Sequence, residues 1–505
     1  MLKTEPDNSQ ESLINVNKRR AGMIMSVQMA GKKMLLGGEW VGRDQIIEVR
    51  DPQDNSLIDT VPAASAEDMI RCIEEAKEGA KLAAAMPIHE RMRILNAAAD
   101  YIEMHRERFA VTISKEGSKT IREATKETTR CIQTLRISAE EARRINGETI
   151  SFDQMPGSEN RIGYYYRFPI GIIGAITPFN DPLNLVAHKV GPAIASGNAI
   201  IVKPATVTPL SALLLAEAFA HAGLPPKVLS VITGYGHEIG DVLVTHPAIR
   251  MISFTGGLEA GENIVRKAGL KKISMELGSN SPVIVLEDAD LEEAVESNVS
   301  GAFWAAGQNC LGVQRLYIQE SIMSSFQKKF VTRTEQYIIG DKQVQETDMG
   351  PLINEKEAKR VEALVNEAIE KGAKLLTGGH RQGAFYTPTV LTNIPENCRI
   401  ANEEIFGPVV LLYPVQDLDH AIQESNRVDF GLQAGIFTKN IENAHQAIAQ
   451  MDVGGIMIND SSDYRIDAMP FGGVKKSGLG REGIKFAIQE MTEPKVVCFK
   501  LSDRS

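Results

Sequence analysis

A thiol, a carboxylate and a carboxamide each stand in a short run of small, apolar or turn-forming residues. Cys310 lies in GAFWAAGQNCLGVQRLYI, behind an apolar run whose packing would seat it in the interior. Near a turn or a helix N-terminus its pKa would fall below the free value of about 8.5, and the thiolate is a strong nucleophile. Glu276 lies in KKISMELGSNSP, between apolar Met275 and Leu277 and ahead of a Gly-Ser-Asn-Ser turn. A carboxyl in such company has its pKa raised and can act as a general base. Asn180, in ITPFNDPLN, follows an apolar run and stands between two prolines, where a fixed amide can donate to a developing oxyanion. Each also has an ordinary reading in isolation: a core cysteine, a carboxylate capping a turn, a turn asparagine.

The elements that would hold these groups alternate regularly. Residues 66–147 carry apolar positions at helical spacing, as in EDMIRCIEEAKEGAKLAAAM. GETISFD followed by RIGYYYRFPIGIIGAI predicts a hairpin leading into a strand. Short apolar runs (GIIGAIT, NAIIVKP, VLSVITG, MISFTG, PVIVLE) then alternate with helices such as PLSALLLAEAFAHAG, the pattern of a parallel α/β sheet. A second α/β series runs from near Glu276 through PVVLLYP and AGIFTK. The final EPKVVCFKLS reads as an isolated strand needing a partner, from the early hairpin or a second subunit.

At 505 residues the chain exceeds a single core and predicts two or three domains. It is 43% hydrophobic and 24% charged, ordinary for a folded protein, and its net charge of -10 argues against a nucleic-acid partner. No apolar run approaches the ~20 residues of a membrane span, and the polar, partly acidic N-terminus is not read as a secretory signal. Five scattered cysteines without a C-x-x-C pair fit a reducing cytoplasm better than a disulfide framework. No cluster has metal-ligand spacing.

The segments GAITPFN, IVKPAT, SFTGG, MELGSNSP, GQNC, EEIFGPVV and MPFGGVKKSGLGREG occur in the order and approximate spacing of the aldehyde dehydrogenase family. The chain resembles that family from about Leu35 to Lys500, and in particular the branch of lactaldehyde and non-phosphorylating glyceraldehyde-3-phosphate dehydrogenases. The resemblance implies an α/β fold with a Rossmann-type cofactor domain (34–147 and 167–277), a catalytic domain (278–485) and a small β oligomerisation element (148–166 and 486–505), after a tail over 1–33. It implies a homodimer or homotetramer. It implies Cys310 as the nucleophile, Asn180 as part of the oxyanion hole and Glu276 as the base that activates water.

The same resemblance assigns a cofactor, NADP or NAD, to Ile176, Thr177, Pro178, Phe179, Lys203, Thr206, Gly236, Phe254, Thr255, Gly256, Gly257, Leu277, Glu404 and Phe406. SFTGGLEAGENI is the strand–turn–helix expected to face the pyrophosphate. The one literal G-x-G-x-x-G (Gly478, Gly480, Gly483) has no strand in front of it and reads as a turn opening a helix. Members that prefer NAD commonly have glutamate at the place of Thr206, so NADP is the expected cofactor. Asp181, Asn184, Leu185 and His188 match tunnel-lining positions; Asn309 and the loop residue Arg465 complete the expected substrate contacts. A polar tunnel suits a small polar aldehyde, glyceraldehyde 3-phosphate or lactaldehyde. Arg130 and Arg136 are weaker candidates for gripping a substrate anion and read first as surface salt-bridge residues. Alternatives are another semialdehyde or sulfolactaldehyde as substrate, acyl transfer to coenzyme A, and a relative that keeps the fold without turnover. Glu276 argues against coenzyme A transfer, because acylating relatives generally lack that base.

Overall fold

The computed structural model describes residues 33–502, so the expected tail lies outside the described residues except at its last position, as do 503–505 of the expected oligomerisation element. The chain first builds four helices, Ala66–Ala85, Ile88–Met104, Arg106–Glu116 and Ile121–Ala142. Ser65 with Asp68, and Thr120 with Glu123, close capping boxes at two of their starts, each satisfying otherwise orphaned amides.

The strands Ile172–Ile176, Ala199–Lys203, Leu229–Val231, Ile249–Thr255 and Lys272–Glu276 pair in parallel. They form the centre of an eight-stranded sheet with antiparallel edges. Their residues are buried on both sides because alternate positions feed two separate cores. Ile173, Ala175, Ile200 and Val202 join the helices Ile88–Met104 and Ile121–Ala142; Ile172, Ile201, Ile252 and Phe254 join Ala66–Ala85 and Leu258–Ala268. From Ile172–Ile176 the chain adds strands outward on one side through Ala199–Lys203 and Leu229–Val231. It then returns to the other side through Ile249–Thr255. The crevice between Ile172–Ile176 and Ile249–Thr255 is therefore a topological switch point, where open α/β sheets bind ligands outside the strand C-termini.

A seven-stranded sheet contains Ser281–Val285, Val313–Gln319, Val409–Val415 and Gln433–Phe437 in parallel, with one antiparallel edge, Lys374–Thr377. The segment expected as an orphan strand, Thr492–Lys500, finds its partner within the chain: it pairs antiparallel with Arg161–Pro169, from Thr492 opposite Pro169 to Lys500 opposite Arg161. Glu148–Ile150 completes this three-stranded sheet. The G-x-G-x-x-G segment departs from the expectation of a plain turn. Gly478–Leu479 is a short antiparallel strand on the edge of the eight-stranded sheet, and Gly483 opens the helix Ile484–Glu490. A Cβ at Gly478 would lie 2.4 Å from the Met275 carbonyl oxygen and one at Gly483 2.2 Å from that of Met469, so these glycines serve backbone packing. Among the described residues, no helix is long and apolar enough to cross a membrane.

Candidate active site

Cys310 follows the helix Leu291–Phe303 and a kinked turn, Trp304–Gly307, in which Ala305 and Ala306 have φ of 51° and 56°. Side chains larger than alanine tolerate that conformation poorly, and it costs on the order of 1–3 kcal/mol per residue. The kink is held by the buried Glu123 carboxylate, which accepts from the Ala305 amide at 2.7 Å. At Gly307 a Cβ would lie 2.2 Å from the Gly407 carbonyl oxygen. The small residues before the cysteine thus permit a tight bend that delivers the thiol to a cavity wall.

The thiol stands where two cavities meet. One, of about 440 Å³, is lined by Thr177, Pro178, Phe179, Phe254, Thr255, Gly256, Gly257, Glu276, Leu277, Glu404 and Phe406; the other, of about 340 Å³, is lined by charged side chains including Arg130, Asp181, Asp463 and Arg465. Asn180, Leu185 and Cys310 belong to both. Asn180 is fixed by a hydrogen bond from its Nδ2 to the Gln308 carbonyl oxygen at 3.0 Å, which leaves the other amide hydrogen for a ligand. Asn309 lines the second cavity, and its Oδ1 accepts from the Leu311 amide at 3.1 Å across the turn that presents the sulfur.

The expected drop in the thiol pKa is not what the environment produces. Cys310 does lie in a turn, but the turn does not lower its pKa. Burial pushes its thiol up to about 12, with Arg465 opposing and the carboxyls of Glu404, Glu276 and Glu482 adding to the rise. The thiol must give up its proton before it attacks. Glu276, the last residue of the strand Lys272–Glu276, is buried, and neither carboxylate oxygen has a hydrogen-bond partner. Burial and the nearby charge of Glu482 hold its carboxyl well above the usual range. Glu404 is likewise raised, to about 7, by burial, although it accepts from the Ser279 amide at 2.8 Å.

The first cavity fits a dinucleotide on three observations. Gly257 caps the helix Leu258–Ala268 and faces open space, so backbone amides at the positive end of a helix are accessible. The buried Thr177 hydroxyl has no partner. Phe406 and Phe179 meet edge to face at 5.8 Å on one wall. Further out, Ile176 ends its strand and Gly236 begins the exposed turn Gly236–Gly240; neither side lines the cavity. Lys203 is buried, bonded only to the Pro204 carbonyl oxygen at 3.1 Å, and burial lowers its pKa to about 8. Thr206 donates to the Gly234 carbonyl oxygen at 3.2 Å.

On the substrate side two positions need correction. Asn184 and His188 do share a face of the helix Asn184–Ala195, but that face turns away from the cavity. Both engage Asp467 Oδ1, at 3.3 and 2.8 Å, and Thr134 donates to Asn184 at 2.9 Å. Asp181 lines the cavity rim but is paired with Lys119. Arg465 does reach the cavity: its guanidinium stacks on Phe471 at 3.6 Å, contacts Glu482 at 3.4 Å and leaves Nε without a partner. Arg130, expected at the surface, also lines this cavity, pairing with Asp467 at 2.7 Å and Asp181 at 3.6 Å, whereas Arg136 makes the surface pairs expected of both. A further buried pair, Lys189 with Glu482 at 3.0 Å, lies behind Glu276 and had no signal beyond a lysine on an apolar helix.

The model of the aldehyde dehydrogenase family matches residues 40–497. Aspartate-semialdehyde dehydrogenase 1 of Pseudomonas canavaninivorans is 50% identical over 90% of this chain and 97% of that protein. A lactaldehyde dehydrogenase of Methanococcus maripaludis is 39% identical over 92% of this chain and 99% of the other. The crystal structure of NADP-dependent glyceraldehyde-3-phosphate dehydrogenase from Bacillus halodurans, complexed with NADP, superposes with a TM-score of 0.91 at 40% identity, covering 94% of this chain and 100% of that one.

Proposed function

The chain belongs to the aldehyde dehydrogenase family, and from that premise we propose that it oxidises a small polar aldehyde carrying an anionic group to the carboxylic acid, with Cys310 as nucleophile. The observation that carries this reading is the position of the thiol at the junction of two cavities, one with a helix N-terminus and one lined by arginines.

Cys310 Sγ bonds to the carbonyl carbon, and the displaced electron pair moves to the oxygen, where Asn180 and the Cys310 amide donate to it. The thiol proton passes to solvent water; Glu276, whose raised pKa makes it a stronger base than an ordinary carboxylate, serves the hydrolytic step. Thr177, Glu404 and Phe406 line the cavity and would hold a nicotinamide, which would supply the hydride acceptor. The acyl group then stays on Cys310 as a thioester, so one hard step becomes two easier ones. Glu276 deprotonates a water, which adds to the thioester carbon; the carbon–sulfur bond breaks and the acid leaves.

NADP is favoured over NAD by the hydroxyl of Thr206, where a carboxylate would repel a 2′-phosphate, and by Lys203, a buried cation that lacks an anion. The NADP complex of the Bacillus halodurans relative supports the same choice. Arg130 and Arg465 favour an anionic substrate, as do the substrates named for the Pseudomonas and Bacillus relatives. The eight-stranded sheet would serve as the cofactor domain and the seven-stranded sheet as the catalytic domain. The three-stranded sheet, with Ile162, Tyr166, Val496 and Phe499 exposed, would join subunits.

Profiling glyceraldehyde 3-phosphate, lactaldehyde, succinic semialdehyde and sulfolactaldehyde with both cofactors, by absorbance of the reduced cofactor, tests the reading. Turnover without coenzyme A, faster with NADP and with the charged aldehydes, is expected. No reduced cofactor from any of the four, or a requirement for coenzyme A, would refute it.

A further inference from the structure

The substrate-side cavity is not simply cationic. Its acids and bases are mostly matched: Arg130 is engaged by Asp467 and Asp181, Asp181 by Lys119, and Asp460 accepts from Ser297 Oγ at 2.7 Å and the Ser461 amide at 2.8 Å. Two groups keep unused capacity. Arg465, with 7% of its side chain exposed, makes a salt bridge to Glu482 at 3.4 Å and has an unpartnered Nε. Asp463 accepts one side-chain hydrogen bond, from Ser461 Oγ at 2.5 Å, and makes no ion pair with any described residue. Burial raises its pKa, as an acid lacking a cation requires. Lys126, which lines the same cavity and offsets part of that rise, lies over the Trp304 ring at 4.8 Å.

We propose that this cavity takes a short aldehyde that is also a zwitterion, an amino-acid semialdehyde whose carboxylate is held by Arg465 and whose ammonium is held by Asp463. The assignment rests on the oxidation at Cys310 argued above and names its substrate class. A cavity with an arginine whose Nε is free and a buried aspartate without an ion pair, beside the reactive sulfur, complements a ligand with the opposite pair, and charge-assisted hydrogen bonds at both ends fix the aldehyde carbon in orientation. The local build makes room for the acid. At Gly301, on the helix leading to Cys310, a Cβ would lie 2.8 Å from Asp463 Oδ1 and 2.9 Å from Ser461 Oγ. Gly301→Ala therefore displaces the carboxylate without changing any charge.

Aspartate semialdehyde and succinic semialdehyde have the same chain length and carboxylate and differ only in the amino group. With the full chain and NADP or NAD, kcat/KM for the amino compound is expected to exceed that for the other by about tenfold or more. Asp463→Asn collapses that ratio to about 1, mainly through KM for the amino compound; Asp463→Glu keeps part of it and Gly301→Ala lowers it. A wild-type ratio of about 1 or below, or an unchanged ratio in Asp463→Asn, overturns the ammonium subsite while leaving the oxidation reading standing. Failure of both aldehydes to reduce either cofactor overturns the zwitterion assignment, and overturns the oxidation reading as well only if the other aldehydes named above also fail. The wild-type ratio decides the question even if a variant does not fold.

Discussion

Two buried polar clusters flank the loop that carries Asn180, and they are built on opposite rules. Around Asp467, every charge is matched: Arg130, His188 and Asn184 converge on its carboxylate, and its pKa is driven well below the usual range despite burial. Nearby, Glu127 accepts from the Leu183 and Asn184 amides at 2.8 and 3.0 Å and from Lys119 at 2.8 Å. Around Cys310 the groups are left wanting: the thiol is raised to about 12, and Glu276 has two orphaned oxygens. A satisfied buried cluster specifies a shape. An unsatisfied one is stabilised only when a ligand or a reacting atom arrives.

Substitutions separate the two roles by what they damage. Cys310→Ala should lower turnover about 10⁴-fold or more while thermal unfolding stays close to that of the parent, because the thiol's side-chain hydrogen bond, to Asn309 Oδ1, is long at 4.0 Å. Glu276→Gln should reduce steady-state turnover by roughly 10²–10⁴-fold while leaving a first burst of reduced cofactor. The base form of Glu276 exists only above its raised pKa, so wild-type kcat should fall as pH drops through a limb lying above the ordinary carboxylate range. In Glu276→Gln that limb should vanish.

The matched cluster should respond in stability instead. Asp467→Asn removes the carboxylate shared by the half-buried Arg130, His188 and Asn184 and should cost about 1–3 kcal/mol in a denaturant titration. Because the Asp467 pKa is depressed on folding, its contribution is present above the unfolded value of about 3.9 and is lost as pH falls below it. The smallest effect belongs to His188→Gln: KM for any aldehyde should move less than about threefold, since His188 faces Asp467 and not the cavity. A large KM change there would erase the distinction between the clusters.

The sequence made the reactive trio legible because each member stands in a local context that survives folding: Glu276 at a strand end, Asn180 after a buried strand, Cys310 behind small residues. The parallel sheet was legible for the same reason, in runs apolar at every position. What depended on tertiary packing was not. Helical spacing put Asn184 and His188 on one face, but only the fold decides that this face meets Asp467. Arg130 and Arg136 share a helix and a residue type, yet one turns into the cavity and the other to Asp100 and Glu103. The thiol pKa was misjudged because Ala305 and Ala306 bend the chain left-handed, and no helix N-terminus is presented to the sulfur. Asp463 and the Lys189–Glu482 pair had no local signal, since their significance lies in which partners they have or lack.

The division of labour between sulfur and carboxylate can be read in one experiment. Glu276→Gln is mixed with a substrate aldehyde and NADP, quenched in acid and digested, and the cysteine-containing peptides are weighed by mass spectrometry. The account predicts an acyl adduct on the Cys310 peptide in step with about one equivalent of reduced cofactor per site. Reduced cofactor formed with no adduct on that peptide, or with the adduct on Cys72, Cys131, Cys398 or Cys498, would contradict it.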